Sequence, residues 1–169
     1  MALYLFNNGA AQTTAAPVAV TTGTAIKTLL QVVPVTTMMV RIVEWSISFD
    51  GSAAATPIKV ELIETDVAAT VTAAAAADFT KWDADAIAQG TQTTFFQVGT
   101  ALSGYTATAE GTITAVRNLD APQFIAPTTQ YQKQFPMGRE PIIQAGKFAR
   151  IRVTAGAAVN AYCSMILAV

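Results

Sequence analysis

Asp78, Asp83 and Asp85 place three carboxylates within one polar stretch of this sequence. Calcium takes several oxygen ligands of that kind. The run has no EF-hand order and no glycine at the required sharp turn, so a solvated acidic loop is the competing reading. Glu44 and Glu61 could be paired as a glycosidase acid and base, but both fall on polar faces of predicted strands. Trp45 and Trp82 offer ring faces for sugar stacking. Trp45 sits on an apolar strand face and is expected in the core. Trp82 follows Phe79-Thr80-Lys81 in a polar stretch, where a stacking or subunit contact is open to it. Arg139-Glu140, just before Pro141, reads either as an intersubunit ion pair or as a local pair fixing a corner. Cys163 has no second cysteine to bond with, and its run Tyr162-Cys163-Ser164-Met165-Ile166-Leu167 predicts a buried small hydrophobe.

The rest of the composition narrows the function further. The 169 residues include no histidine, and only 12% are charged. Catalysis near neutral pH usually recruits histidine, paired carboxylates, an activated thiol or a metal cluster. The sequence carries no GxGxxG opening a helix, no P-loop, no CxxC and no GxSxG. The expectation is a structural or binding protein without a cofactor, not an enzyme. A formal net charge of −1, with 10 unclustered Lys and Arg, argues against nucleic acid as a partner. No segment offers the roughly 18 apolar residues of a membrane helix. Met1 to Asn8 lacks a basic start, so no signal peptide is expected. Hydrophobic residues reach 52% and mean hydropathy is +0.41. So much apolar content with so little charge predicts surface hidden by partner subunits, and a homotrimer is the expected assembly.

The elements that must hold these residues read as strands. In 40–49, Val43, Trp45, Ile47 and Phe49 alternate with Ile42, Glu44, Ser46 and Ser48. Asp50-Gly51-Ser52 supplies turn chemistry. Residues 58–65 place Ile58, Val60 and Leu62 opposite Lys59 and Glu61. Further strands are expected over 25–33, 105–116 (with Gly111 as a bulge), 123–126, 130–135, 147–154 and 158–169. Residues 67–77 suit helix and strand equally. Residues 78–99 read as one long polar loop, with a helical turn around 83–88. Residues 1–24 read as an N-terminal arm or edge strand, with Leu3, Tyr4, Leu5 and Phe6 as its apolar anchor. Residues 25–169 read as a single domain. The sum is all-β: an antiparallel β-sandwich, jelly-roll-like, without a βαβ rhythm. Its expected core is Trp45, Ile47, Phe49, Val60, Leu62, Ile151 and Val153.

Three stretches carry a resemblance. They are Val43-Glu44-Trp45-Ser46-Ile47-Ser48-Phe49-Asp50-Gly51 continuing to Leu62, Gly104-Tyr105-Thr106-Ala107-Thr108-Ala109-Glu110-Gly111, and Gln134-Phe135-Pro136-Met137-Gly138-Arg139-Glu140-Pro141 followed by Phe148 to Ala155. Together they resemble a family of small structural proteins encoded by tailed phages of actinobacteria beside their virion genes. The likeness spans roughly residues 25 to 65 and 100 to 169. It implies a virion component with no active site. The expected role is a capsid decoration (cement) protein on the outer surface of the major capsid protein shell. A tail or fibre module that binds host carbohydrate is the alternative. Leu3, Tyr4, Leu5, Phe6, Trp82, Arg139 and Glu140 are the expected contact residues.

Overall fold

A computed structural model describes residues 1–14, 16–52, 56–84 and 95–169. Two antiparallel sheets face each other. The first runs β11 (Gln130–Gln134), β4 (Val40–Phe49), β14 (Asn160–Ala168), β1 (Leu3–Asn7) and β7 (Phe79–Lys81), with β12 (Ile142–Ile143) beside β4 and β2 (Val20–Thr21) beside β14. The second runs β10 (Gln123–Ile125), β5 (Ile58–Thr65), β13 (Phe148–Thr154), β3 (Ile26–Val32), β8 (Gly104–Ala109) and β6 (Thr70–Ala73), with β9 (Val116–Asn118) also on β5. One 3₁₀ turn covers Ala76–Asp78. The antiparallel sandwich read from the alternation is therefore the architecture observed.

Side chains alternate across each strand, so every second residue turns inward. The seven expected core residues fall in one buried cluster, joined by Leu29, Leu30, Ile42, Met165 and Leu167. Cys163 is buried among them. β4 departs from simple alternation. Ile42 is buried and Val43 half-buried, the reverse of the sequence expectation. The cause is a bulge: on β14, Ile166 pairs with Glu44 and the next residue, Leu167, pairs with Ile42. The extra residue on β4 shifts the inward set by one position.

Three other expectations change. Leu3–Asn7 is no free arm. It pairs with β14 on one side and β7 on the other, and β2 also joins β14, so of the two readings of this segment the strand holds, though β1 is an interior strand and not an edge. Within 78–99, the described residues are more than a polar loop. Phe79 stacks between Phe6 and Phe96, with ring centroids 4.2 and 4.3 Å apart. Phe96 is fully buried. The helical turn expected around 83–88 lies largely outside the described residues. The strand expected through Gly111 ends at Ala109. Gly111 has φ +71°, and a Cβ there would meet the Ala68 carbonyl oxygen at 2.7 Å. Only glycine fits that turn.

Asp66 closes the neighbouring turn. It accepts a short hydrogen bond from the Thr114 hydroxyl, and backbone N–H bonds from Ala115 at 3.0 Å and Thr114 at 3.2 Å. These donors, the Thr114 hydroxyl first, hold its carboxyl down at about 2 against an ordinary 3.8. The unfolded chain therefore takes up this proton more readily. Stability from Asp66 is present above about pH 3.8 and is lost as pH falls towards about 2. Asp66→Asn is expected to flatten this acid limb when urea midpoints are compared at about pH 5, above the window, and about pH 2.5, well inside it. An unchanged pH dependence would show that the turn does not tie down Asp66.

Candidate functional site

The outward face of the first sheet gathers most of the residues singled out from the sequence. On β1, Tyr4 and Phe6 point into the core and are fully buried, whereas Leu3 and Leu5 point outward and are half-buried. Register then fixes their neighbours. Leu5 lies across from Ile166, and Ile166 across from Glu44 at the bulge beside Val43. Leu3 lies across from Ala168, and Ala168 across from Arg41. Trp82 borders the same patch: its N–H donates to the Leu3 carbonyl at 2.8 Å, and its side chain is 55% exposed. Asp83 holds the same edge of Leu3 by accepting the Leu3 N–H at 3.1 Å. Leu3, Leu5, Ile166 and Trp82 thus lie on one outward face, with Val43 at the bulge and the Glu44 carboxylate beside Ile166. Tyr4 and Phe6 are removed from the contact set because alternation commits them to the interior.

The rim of this patch is charged. Glu140 meets Arg41 at 3.8 Å, not its neighbour Arg139. The local Arg139–Glu140 pair is therefore replaced by a pair that ties the 136–141 corner to β4. At this exposure such a pair contributes about 0–1 kcal/mol. Arg139 is exposed, its N–H donates to the Pro136 carbonyl at 2.9 Å, and no ion pair joins it to another described residue. Away from the rim the face turns polar: Ser46 and Ser164 hydroxyls lie 2.8 Å apart, and Gln132 donates to Glu44 at 2.7 Å. Residues 9–13 and 16–18 line, with Asn7 and Tyr162, a cleft of about 340 Å³ at the far end.

The residues weighed for chemistry are spent on structure. Asp78 accepts backbone N–H bonds from Ala11 at 2.7 Å and Ala75 at 2.8 Å. Asp83 caps Leu3, and Asp85 lies outside the described residues. No group of three metal-binding side chains converges among the described residues. Glu44 and Glu61 stand on different sheets. Glu61 is itself buried, not on a solvated face. Burial alone would raise its carboxyl, but Lys59 at 2.8 Å and Arg152 at 3.0 Å outweigh that and hold it below the ordinary range. A carboxyl so held is a poor proton donor. Burial pushes the Cys163 thiol up. A thiol reagent is accordingly expected to leave the native protein unlabelled and to modify Cys163 once the chain unfolds. Labelling of the native state at the unfolded rate would place Cys163 on the surface.

Two polar clusters escaped the sequence reading. Asp120 joins the sheets at their open side. It accepts from Trp45 Nε1 at 3.1 Å, the Tyr131 hydroxyl at 3.3 Å, the Ala121 N–H at 2.8 Å and, in a short ion pair, Lys133. Arg150 lies on the outward side of β13, yet its side chain is fully buried beneath residues 66–69 and 110. Arg150 could have been suspected as a charge interleaved with apolar strand residues, whereas Asp120, in the connection between β9 and β10, carried no such signal. Their partners, distant in sequence, could not have been suspected.

Comparison with protein families, characterised proteins and solved structures finds no match to this chain. The face of the first sheet therefore stands on its own geometry.

Proposed function

We propose that this protein is a virion decoration protein that seats the outward face of its first sheet on the major capsid protein shell. The observation that carries the reading is the patch of Leu3, Leu5, Ile166 and Trp82, laid flat across paired strands and rimmed by Arg41 and Glu140. A contiguous apolar surface with a polar rim is the usual anatomy of a protein contact. The strand order supports a jelly-roll reading. Eight of the strands fall into two four-stranded sets, β1-β14-β4-β11 and β3-β13-β5-β10, a strand order that matches the winding of two interleaved Greek keys. Such a rigid scaffold presents a surface without reorganising.

The test is binding to particles stripped of the protein. Leu5→Gln combined with Trp82→Ala is expected to weaken binding about tenfold or more, with the thermal midpoint kept close to wild type. Undiminished binding by this folded variant would sink the reading. The exposed Trp82 ring also favours a second use, stacking on host carbohydrate from a tail position. Glycan-array binding that disappears with Trp82→Ala, without particle binding, would support that use instead.

A further inference from the structure

We infer that two copies of this chain join edge to edge through β11, around a twofold axis at Gln132. β11 is the last strand of its sheet and pairs only with β4 among the described residues. Its ladder fixes which way each peptide points. The Thr129 carbonyl accepts from Phe49 N–H at 3.2 Å, and Phe135 N–H donates to the Val43 carbonyl at 2.8 Å. Odd-numbered residues therefore turn their main chain to β4. Even-numbered residues turn theirs away, because antiparallel bonding alternates residue by residue. The N–H and C=O groups of Gln130, Gln132 and Gln134 face outward, and no hydrogen bond reaches them from another described residue.

Sheet edges of this kind are normally blunted by proline, a bulge or a free charge. β11 has no proline, and its register against β4 is unbroken. The charge of Lys133 is taken up by Asp120 of its own chain. The occupant follows from the sequence itself. Gln130-Tyr131-Gln132-Lys133-Gln134 is nearly the same read in either direction. A twofold axis through the Gln132 pair sets Gln130 opposite Gln134 of the second copy. The outward-facing set of each strand then meets the outward-facing set of the other, closing about six main-chain hydrogen bonds. The outer side chains along the seam are all glutamine amides, each a donor and an acceptor, so no like charges meet. Tyr131 faces Lys133 of the second copy, whose ammonium is already neutralised. Such a contact is isologous. A threefold ring needs two different surfaces instead, so this edge favours a dimer over the trimer that composition suggested. The axis stands perpendicular to the sheet, and both apolar patches face the same way.

Gln132→Pro tests this directly. The Gln132 N–H points away from β4, so proline removes no bond of the native ladder, yet it deletes the central bonds of the seam. The wild-type protein is expected to sediment as a dimer at micromolar concentration, and Gln132→Pro as a monomer with an unchanged circular dichroism spectrum. Gln132→Thr should stay dimeric. A wild-type monomer or trimer, or a folded Gln132→Pro dimer, would overturn the inference. Amide hydrogen exchange on the wild type covers the case in which Gln132→Pro fails to fold. Gln130, Gln132 and Gln134 should exchange slowly when concentrated and fast when dilute, while Tyr131 and Lys133 stay slow throughout. Exchange at the three glutamines that ignores concentration would equally overturn it. Neither measurement involves the shell, so its outcome is separate from the particle-binding test.

Discussion

Trp45→Ala is expected to destabilise the fold by about 3–5 kcal/mol, the range for emptying a fully buried aromatic site. Trp45 is 1% exposed and lies at the centre of β4. Its ring sits 5.0 Å from that of Tyr131, and its Nε1–H donates to Asp120. The substitution thus opens a cavity and also takes a donor from the carboxylate that joins the two sheets. Trp45→Phe separates the two effects. It keeps most of the packing and loses the hydrogen bond, for an expected cost of about 1–3 kcal/mol. Urea denaturation with an unchanged m-value measures both. A loss below about 1 kcal/mol for Trp45→Ala would mean that the inward face of β4 has been misassigned.

Glu110→Ala is expected to cost about 3 kcal/mol, near the low end for breaking a buried ion pair because the Glu110 side chain keeps 18% exposure. Its carboxylate accepts from the Thr28 N–H and hydroxyl, at 2.5 and 2.7 Å, and from Arg150 at 3.3 Å. Arg150 also donates to the carbonyls of Glu110 and Val67, while its Nε is buried without a hydrogen-bond partner. Desolvation pulls the guanidinium down to about 10, so it is still charged at neutral pH. Removing the carboxylate leaves that charge buried and uncompensated. Glu110→Leu combined with Arg150→Met removes both charges, and is expected to recover part of the loss. A double variant no better than the single one would show that the pair contributes through packing alone.

The sheets were legible in the sequence because a period of two is a local signal. β4 shows it over 43–49, β5 over 58–62 and β13 over 149–154, and the core followed from it. The reading failed where a distant strand sets the outcome. Nothing near Val43 announces a bulge, since the slip belongs to the pairing with Ile166 and Leu167. β7 was missed because three residues are too few to show a period, and Phe79 takes its place from Phe6 and Phe96. The contact residues divided for the same reason. Composition could mark Leu3 to Phe6 as apolar, but only the pairing of β1 decides that Leu3 and Leu5 face out while Tyr4 and Phe6 face in. Arg139 and Glu140 looked paired because they are adjacent, whereas Arg41, far back in the chain, is the partner in space.

A cryo-EM map of the intact particle tests the proposed role most directly. The expected result is density for the sandwich on the outer surface of the head, with Leu3, Leu5, Ile166 and Trp82 turned towards the shell. Density confined to the tail, or a sandwich seated on the head by its second sheet, would contradict it.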